Sequence, residues 1–496
     1  MMLSKCIENL EITVLKGNLD REISHVAFDS RKIDNGGLFV AVSGFATDGH
    51  LYIKQAIEKG AVAIVVEKDV EVEGDVTVMK VPNGRIALAH VSANFYHHPT
   101  EKMNMVGITG TNGKTSISYF IKALLELKHK KTGIIGTMGT LIDNQKIETP
   151  NTTPESLTLQ SICADMVKAS VEYCVMEVSS HALDLNRVAS CQFTSGIFTN
   201  LTPDHLELHH DMASYYAAKA KLFQMTNHVN IINVDDVYGK QLNADLKPRS
   251  EVTFIGYSLY EPSDVMAKDI VYAADHSTYT AVTPGGNIKI KVNIPGEIYI
   301  YNSLAVVAWA YSAGFSLEDI AEGIDALKGV RGRFETVYED VHRKVVIDFA
   351  HTEDGLEKAL DTLRPFVKNR LLLVFGVYAA PGQLGLDKRL AMGTVAARKA
   401  DLSFVTSDNP KEQDPNAIIA DVVSAMQVEN GHFITEVDRK IAIERALESM
   451  QDGDVLLISG KGHETAQVIG KVEIPFNETE IVQNKMEMLN RMEMLN

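Results

Sequence analysis

The sequence predicts an α/β protein of three domains, with mostly parallel sheets in the second and third. Three observations lead there. Short apolar runs alternate with helix-period patterns along most of the chain. A strand at 103–108 runs into the glycine-rich loop of VGITGTNGKTS, and a helical pattern follows at once. From residue 331 onward the strand–helix alternation starts afresh. The length of 496 residues suits three domains at roughly 150 residues each.

Composition narrows the function classes. A formal net charge of −17 argues against nucleic acid or a membrane surface as the chain's partner, while leaving room for a local cationic pocket. Cys6, Cys163, Cys174 and Cys191 form no C-x-x-C pair, which fits a reducing compartment rather than a disulfide framework or a zinc site. MMLSKCIENL lacks an apolar signal core and no run is long enough to span a bilayer, so a soluble cytoplasmic protein is expected. The tail repeats MEMLN, read as a helix end or a frayed terminus.

Residues 1–100 hold short strands such as GGLFVAVSG and AVAIVVEK and the helical RIALAHVSANFYHH, a small α/β domain. Its Asp29-Ser30-Arg31 loop reads either as a binding hydroxyl and guanidinium or as a turn with a surface ion pair. HHPTEKMNM (97–105) reads as a linker. The central domain, 101–330, is expected to place strands at 103–108, 133–136, 171–178, 193–199 and 229–234. Its helices are expected at 115–128, 154–169, 212–225 and 302–313. Gly107, Gly110 and Gly113 let backbone N–H groups approach a polyphosphate at a helix N-terminus. Lys114 can reach terminal phosphates and Thr115 can ligate Mg²⁺, although the glycine spacing departs from the Walker pattern. This gives the central domain a P-loop-like phosphate cradle.

In parallel sheets, ligands sit beyond the carboxyl ends of the strands. Those ends carry Glu177, Ser179, Ser180 and His181, then Asn200, Thr202, Asp204 and His205. Glu177 and His205 suit a hard cation beside a triphosphate. His209 and His210 read as surface. Arg187 is a candidate anion fork. NTTPE reads as an anion-facing helix start or as a simple capping box of Thr152 with Glu155. Lys219 reads by spacing as solvated. In the third domain, 331–496, Arg333 precedes strand KVVIDFA, whose end carries Asp348 and His351. Later strand ends carry Asp408 to Lys411 and Gly460 to Glu464. Two polar rims predict a cleft between domains.

GITGTNGKTS, NTTPE, EVSSHAL, NLTPDHLELHH, AAKAKLF, GVRGRFE, DFAHTEDGLEKAL, TSDNPK and GKGHE resemble the motifs of the Mur ligases, in their order and over nearly the whole chain. The nearest likeness is to the MurE group. The resemblance implies a UDP-binding N-terminal domain, a central ATPase domain and a C-terminal Rossmann-like, amino-acid-binding domain. It implies that Gly110, Thr111, Asn112, Gly113, Lys114, Thr115 and Ser116 hold ATP phosphates, and that Asn302, Arg333, Asp348 and His351 contact ATP. It implies Thr115, Glu177 and His205 as Mg²⁺ residues, with Lys219 as a carbamate that helps hold a second Mg²⁺, and Lys114, Lys219 and His205 as catalytic. Ser30, Asn151, Thr152, Thr153, Ser179 and Arg187 match positions holding the UDP-N-acetylmuramoyl-dipeptide. Asp408, Asn409, Lys411, Gly460 and Glu464 match the site of the free amino acid. A monomer is expected.

Four places depart from the family pattern. Ile298-Tyr299 replaces a Phe-Asn pair, Leu185 replaces a Gln, and 376–389 lacks an Arg-Asp pair. Lys411 stands where enzymes adding diaminopimelate carry Arg. A cation at Lys411 attracts a distal carboxylate and repels a distal ammonium, which leans towards diaminopimelate over L-lysine. The alternatives are a paralogous ligase with another amino acid or acceptor, and a non-catalytic nucleotide-binding descendant.

Overall fold

The computed structural model describes the chain except residues 45, 46, 250, 378 and 494–496. Three large sheets follow one another along the sequence, and a two-stranded hairpin, Ala466–Ile469 with Val472–Pro475, comes after the strands of the third. The first has five strands between Thr13 and Lys80. Its edge strand Thr13–Lys16 is antiparallel and the rest are parallel. Ala61–Val66 shows why the parallel strands form: a run of small and β-branched apolar residues, almost all buried, fits a pleat covered on both faces.

The central sheet has eleven strands. Asn104–Thr109 lies in the middle, between Tyr173–Glu177 and Phe193–Phe198, and pairs in parallel with both. The expected strands and helices are all present. The helix expected at 302–313 begins earlier, at Glu297. The sheet also reaches beyond what the sequence predicts. Antiparallel strands Ser277–Thr283 and Gly286–Val292 extend one edge, and Gly139–Ile142 with Gln145–Ile147 extends the other. Helices Lys114–Leu127 and Glu297–Ser312 pack together on one face, burying Phe120, Leu124, Leu304 and Trp309 in one core. Glu297–Ser312 is apolar nearly all round because it is covered on all sides.

The third sheet has six strands in the order Glu335–Glu339, Lys344–Asp348, Val455–Ser459, Leu371–Phe375, Leu402–Val405, Phe433–Thr435, all parallel but the first. The terminal helix Glu478–Glu493 covers the first MEMLN copy. The last three residues of the second copy lie outside the described residues.

Two local expectations are corrected. The 97–105 segment is no loose linker: Pro99–Lys102 forms a 3₁₀ turn with Pro99 and Thr100 buried. NTTPE forms no capping box, for helix Ser156–Lys168 starts after Glu155 with no side-chain cap. Glu155 is instead paired with Arg187 at 2.9 Å and Arg85 at 3.5 Å, which takes it out of capping reach. No described helix is long and apolar enough to cross a membrane.

Candidate functional site

The site grows from the end of Asn104–Thr109. Gly110 has φ 146°, and a Cβ there would sit 1.8 Å from Thr199 Oγ1. Gly113 has φ 93°, and its Cβ would sit 2.4 Å from Asn302 Oδ1. Any side chain at either position would both strain the backbone and push away a neighbour. The loop is tied down through Asn112, whose N–H donates to Asn200 Oδ1 at 3.0 Å, and through Thr111 Oγ1, which donates to the Thr202 carbonyl at 3.1 Å. Helix Lys114–Leu127 then starts with its free amide N–H groups facing the cavity.

Lys114 Nζ donates to the carbonyls of Gly110 at 2.9 Å and Thr111 at 2.8 Å. Lys219 Nζ donates to the same Gly110 carbonyl at 2.8 Å and lies over the Tyr215 ring. Lys219 is therefore no solvated lysine: it is 2% exposed. Burial pushes both lysines down from the ordinary ammonium range, Lys219 strongly, and Lys114 adds to the depression of Lys219. A pair of crowded cations around one carbonyl is relieved when an anion arrives or when one amine gives up its charge.

Thr115 Oγ1 donates to both Glu177 oxygens at 3.0 Å, and Thr137 holds the same carboxylate through its N–H at 3.1 Å and its hydroxyl at 3.0 Å. Arg333 reaches across from the third domain to Thr115 Oγ1 at 3.2 Å and lies over Phe349. Asp348 accepts from the N–H groups of Phe334 at 2.7 Å and Ala350 at 2.8 Å, and burial raises its carboxyl. Burial lowers His351 to about 4. Asn302 Nδ2 and Arg333 Nε are buried without a partner among the described residues, as donors kept for a ligand would be.

A cavity of about 280 Å³ gathers Thr111, Asn112, Gly113, Lys114, Thr115, Ser116, Thr152, Glu177, Ser179, His205, Asn302, Arg333, Asp348 and His351. Beside it lies one of about 640 Å³, which shares Asn112, Ile298, Asn302, Lys358 and Thr362 with it and has Tyr257, Tyr272, Tyr301 and Phe366 in its walls. Lys219 sits behind Gly110 rather than on the cavity wall. Among the described residues no three His, Cys, Asp or Glu side chains are placed to hold a metal ion on their own. The buried Thr115–Glu177 pair fits Mg²⁺ as a partial ligand set, with oxygens from a triphosphate completing it.

The other sequence candidates lie outside this cavity. Thr153 is fully buried: its hydroxyl donates to the Glu177 carbonyl at 2.8 Å and accepts from Ser179 N–H at 3.0 Å, so it fixes the strand end rather than facing an anion. Asn151 is exposed. Arg187 bonds the Thr153 carbonyl at 3.0 Å as well as Glu155. Ser30 donates to Gln55 Oε1 at 2.7 Å in a separate cavity of about 540 Å³ that also contains Arg85 and Glu155. Arg31 makes the surface ion pair with Asp29. His209, read as surface, is 4% exposed and stacked on Tyr215.

Asp408, Asn409, Gly460 and Glu464 meet on the third-domain rim. Lys461 Nζ joins Glu464 at 2.7 Å to Asn409 Oδ1 at 3.1 Å. Lys411 is exposed, with φ 51°, and its backbone is pinned to Val468 and Gly470. Arg389 does not face the cleft: it is buried against Asp421 at 2.8 Å and the Ala380 carbonyl at 3.1 Å. Tyr378 of the altered segment lies outside the described residues.

Sequence reasoning left Thr137, Lys388 and Lys461 unassigned, and noticed Asp204 without giving it a role. Thr137 follows directly on a strand end, and the strand-end rule finds it. Asp204 is buried between domains, 3.3 Å from Lys388 and 3.9 Å from His351. Burial pushes its carboxyl up, but Lys388, His205 and His351 outweigh it and hold the group well below the usual carboxylate range.

Comparison with known proteins agrees with this architecture. The description "Mur ligase family, catalytic domain" matches residues 22–96, "Mur ligase middle domain" 108–310 and "Mur ligase, glutamate ligase domain" 332–462. The UDP-N-acetylmuramoyl-L-alanyl-D-glutamate–2,6-diaminopimelate ligase of Clostridioides difficile (strain 630) is 43% identical over 97% of this chain and 98% of its own length. The protein of the same name from Clostridium perfringens is 42% identical over 98% and 100%. A solved structure of a ligase of that name covers 99% of both chains at 28% identity with a TM-score of 0.70. The ADP complex of MurF ligase from Thermotoga maritima shares the fold at 18% identity, covering 95% of this chain and 98% of its own, with a TM-score of 0.62. From its phosphate loop to its third-domain rim, this chain belongs to the Mur ligase family.

Proposed function

We propose that the protein is an ATP-dependent ligase that joins meso-diaminopimelate to the D-glutamate carboxyl of UDP-N-acetylmuramoyl-L-Ala-D-Glu, a step in peptidoglycan precursor synthesis. The observation that carries this is the pairing of Lys114 and Lys219 on one carbonyl, beside the Thr115–Glu177 pair, at the mouth of a cleft closed by Arg333 and His351. The diaminopimelate-adding relatives and the cation at Lys411 support the choice of amino acid.

In this reading the acceptor carboxylate attacks the γ-phosphorus of ATP, forming an acyl phosphate and releasing ADP. The amine of the amino acid then attacks the acyl carbon, phosphate leaves, and the amine loses a proton. Lys114 and the loop N–H groups face the charge that spreads over the transferred phosphoryl. Mg²⁺, held by Thr115 and Glu177 and assisted by His205, would neutralise phosphate charge. Lys219 as a carbamate would add an anion for a second Mg²⁺, and burial shifts the Lys219 amine towards the uncharged form that carbamylation needs. Arg333, Asp348, His351 and Asn302 hold the nucleotide. Ser30, Thr152, Ser179 and Arg187 line the path of the nucleotide-sugar peptide. Asp408, Asn409, Lys411, Gly460 and Glu464 receive the amino acid. Enclosing all three reactants in one cleft removes much of the entropic barrier.

The test is phosphate release from ATP, Mg²⁺ and UDP-N-acetylmuramoyl-L-Ala-D-Glu with a panel of amino acids. Release with meso-diaminopimelate and little with L-lysine is expected. Release only with another amino acid, or none with any, contradicts the assignment.

A further inference from the structure

Beneath the third-domain rim lies a guanidinium that the proposed reaction leaves unused. Arg439, the first residue of helix Arg439–Ser449, is 1% exposed. Its Nε pairs at 2.7 Å with Oε1 of Glu478, itself 1% exposed and the first residue of the terminal helix. Its Nη2 donates to the Ser459 carbonyl at 2.8 Å. Arg439 Nη1 and Glu478 Oε2 have no partner among the described residues. The next residue, Gly460, has φ 119°, and a Cβ there would lie 2.9 Å from Asp408 Oδ2 and 3.8 Å from Arg439 Nη2. Carboxylate and guanidinium thus both crowd the space where a side chain at Gly460 would stand. Burial raises the carboxyls of Asp408 and Glu478, and Arg439 is the first group opposing that rise at both. Lys461, fully buried, continues the network to Glu464 and Asn409.

A buried ion pair is weak evidence for stability, since apolar residues of similar volume often serve as well. What it does fix is geometry, because the fork accepts few arrangements of its partners. The terminal helix that supplies Glu478 is itself anchored, Asn490 Oδ1 accepting from Arg343 at 3.1 Å. We propose that Arg439 is a positioning residue for the incoming amino acid: held by Glu478, it fixes the Ser459–Gly460 turn against Asp408 and so sets the floor of the amino-acid pocket. The terminal helix thereby becomes part of that pocket. This inference rests on the reading above that the rim receives the amino acid.

The experiment measures KM for meso-diaminopimelate, ATP and UDP-N-acetylmuramoyl-L-Ala-D-Glu on the full-length enzyme, wild type against two variants. Arg439→Lys keeps the charge and loses the fork. Arg439→Met with Glu478→Met removes both buried charges, so neither is left unpaired. Thermal unfolding checks that each is folded. The expected result is a rise of tenfold or more in KM for the amino acid, with kcat and KM for ATP within threefold. A merely structural role would reduce the active fraction, lowering apparent kcat for every substrate alike and leaving KM unchanged. That pattern, or an unchanged amino-acid KM in a folded variant, overturns the inference. If Arg439→Lys fails to fold, the double variant decides. If neither folds, Glu478→Gln, which keeps an acceptor for Nε, decides, with a threefold rise as the threshold. Wild-type enzyme that consumes ATP without needing any amino acid overturns the underlying reading instead.

Discussion

Lys114→Met takes one unit of positive charge from the mouth of the phosphate loop and keeps most of the side-chain length. Among the described residues Lys114 Nζ is held by the carbonyls of Gly110 and Thr111 alone, so its charge is free to act on an anion. Burial already depresses it, and Arg333 nearby adds to that, while Glu177 and Asp204 oppose. The cost of the bare cation is therefore recovered when a triphosphate arrives. At about 4 Å from a phosphate oxygen, one unit charge is worth about 4 kcal/mol at an effective dielectric near 20. A tenfold change in rate corresponds to about 1.4 kcal/mol, so kcat/KM for ATP should fall by about three orders of magnitude. Lys219, on the same Gly110 carbonyl, does not compensate, because its ammonium lies behind the loop and is itself depressed. The assay is phosphate release at ATP well below its KM, with UDP-N-acetylmuramoyl-L-Ala-D-Glu and amino acid saturating, so that the rate reports kcat/KM for ATP. A rate within tenfold of wild type refutes the placement of the phosphates at Lys114.

Lys219→Ala should lose nearly all activity and regain part of it when small carboxylic acids are added, if a carbamate is the missing group. Failure of both this rescue and any bicarbonate dependence removes that role. Asp204→Asn removes the carboxylate facing Lys388 and His351. With Lys388 only partly exposed, the loss should be about 2 kcal/mol in domain docking, below the range for a fully buried pair. Small-angle scattering should then show a larger radius of gyration, and an unchanged radius would contradict a role for the Asp204–Lys388 pair in holding the domains together. His181 and His351 are each lowered to about 4, chiefly by burial, from an unfolded value near 6.5. The unfolded chain therefore binds protons first as pH falls, and stability is lost progressively from about pH 6.5 to 4. The slope is at most about 1.4 kcal/mol per pH unit for each imidazole. Denaturant midpoints that stay flat across that window would contradict the burial of these rings.

The phosphate loop was legible in the sequence because its demands fall on the backbone: at Gly110 and Gly113 positive φ and a neighbouring side chain leave room for glycine. Glu177, Asp348 and the 408–411 and 460–464 stretches were legible because strand ends of a parallel sheet face ligands. Lys219 was legible only through family likeness, since nothing in helical spacing reveals that Met212–Ala220 turns that lysine under the loop. The capping box misled because Glu155 answers to Arg187 and Arg85, both distant in sequence. His209 was misread because the ring of Tyr215 covers it. The antiparallel edge strands do alternate, Ser277–Thr283 being buried at every second residue and Ile288, Ile290 and Val292 interleaving with Lys289 and Lys291, so their period was readable although the sequence reading did not include them. Arg389, at the end of the altered 376–389 segment, was left without a role by the sequence, and the structure spends it on Asp421 and a loop carbonyl.

The account stands on where a nucleoside triphosphate binds. A crystal structure with a non-hydrolysable ATP analogue measures that directly. The β- and γ-phosphates should accept from the amide N–H groups of residues 113–116 and from Lys114 Nζ, with Asn302 Nδ2 and Arg333 Nε turned to the ligand. Phosphates bound away from that loop, or a loop that stays empty at saturating analogue, would contradict it.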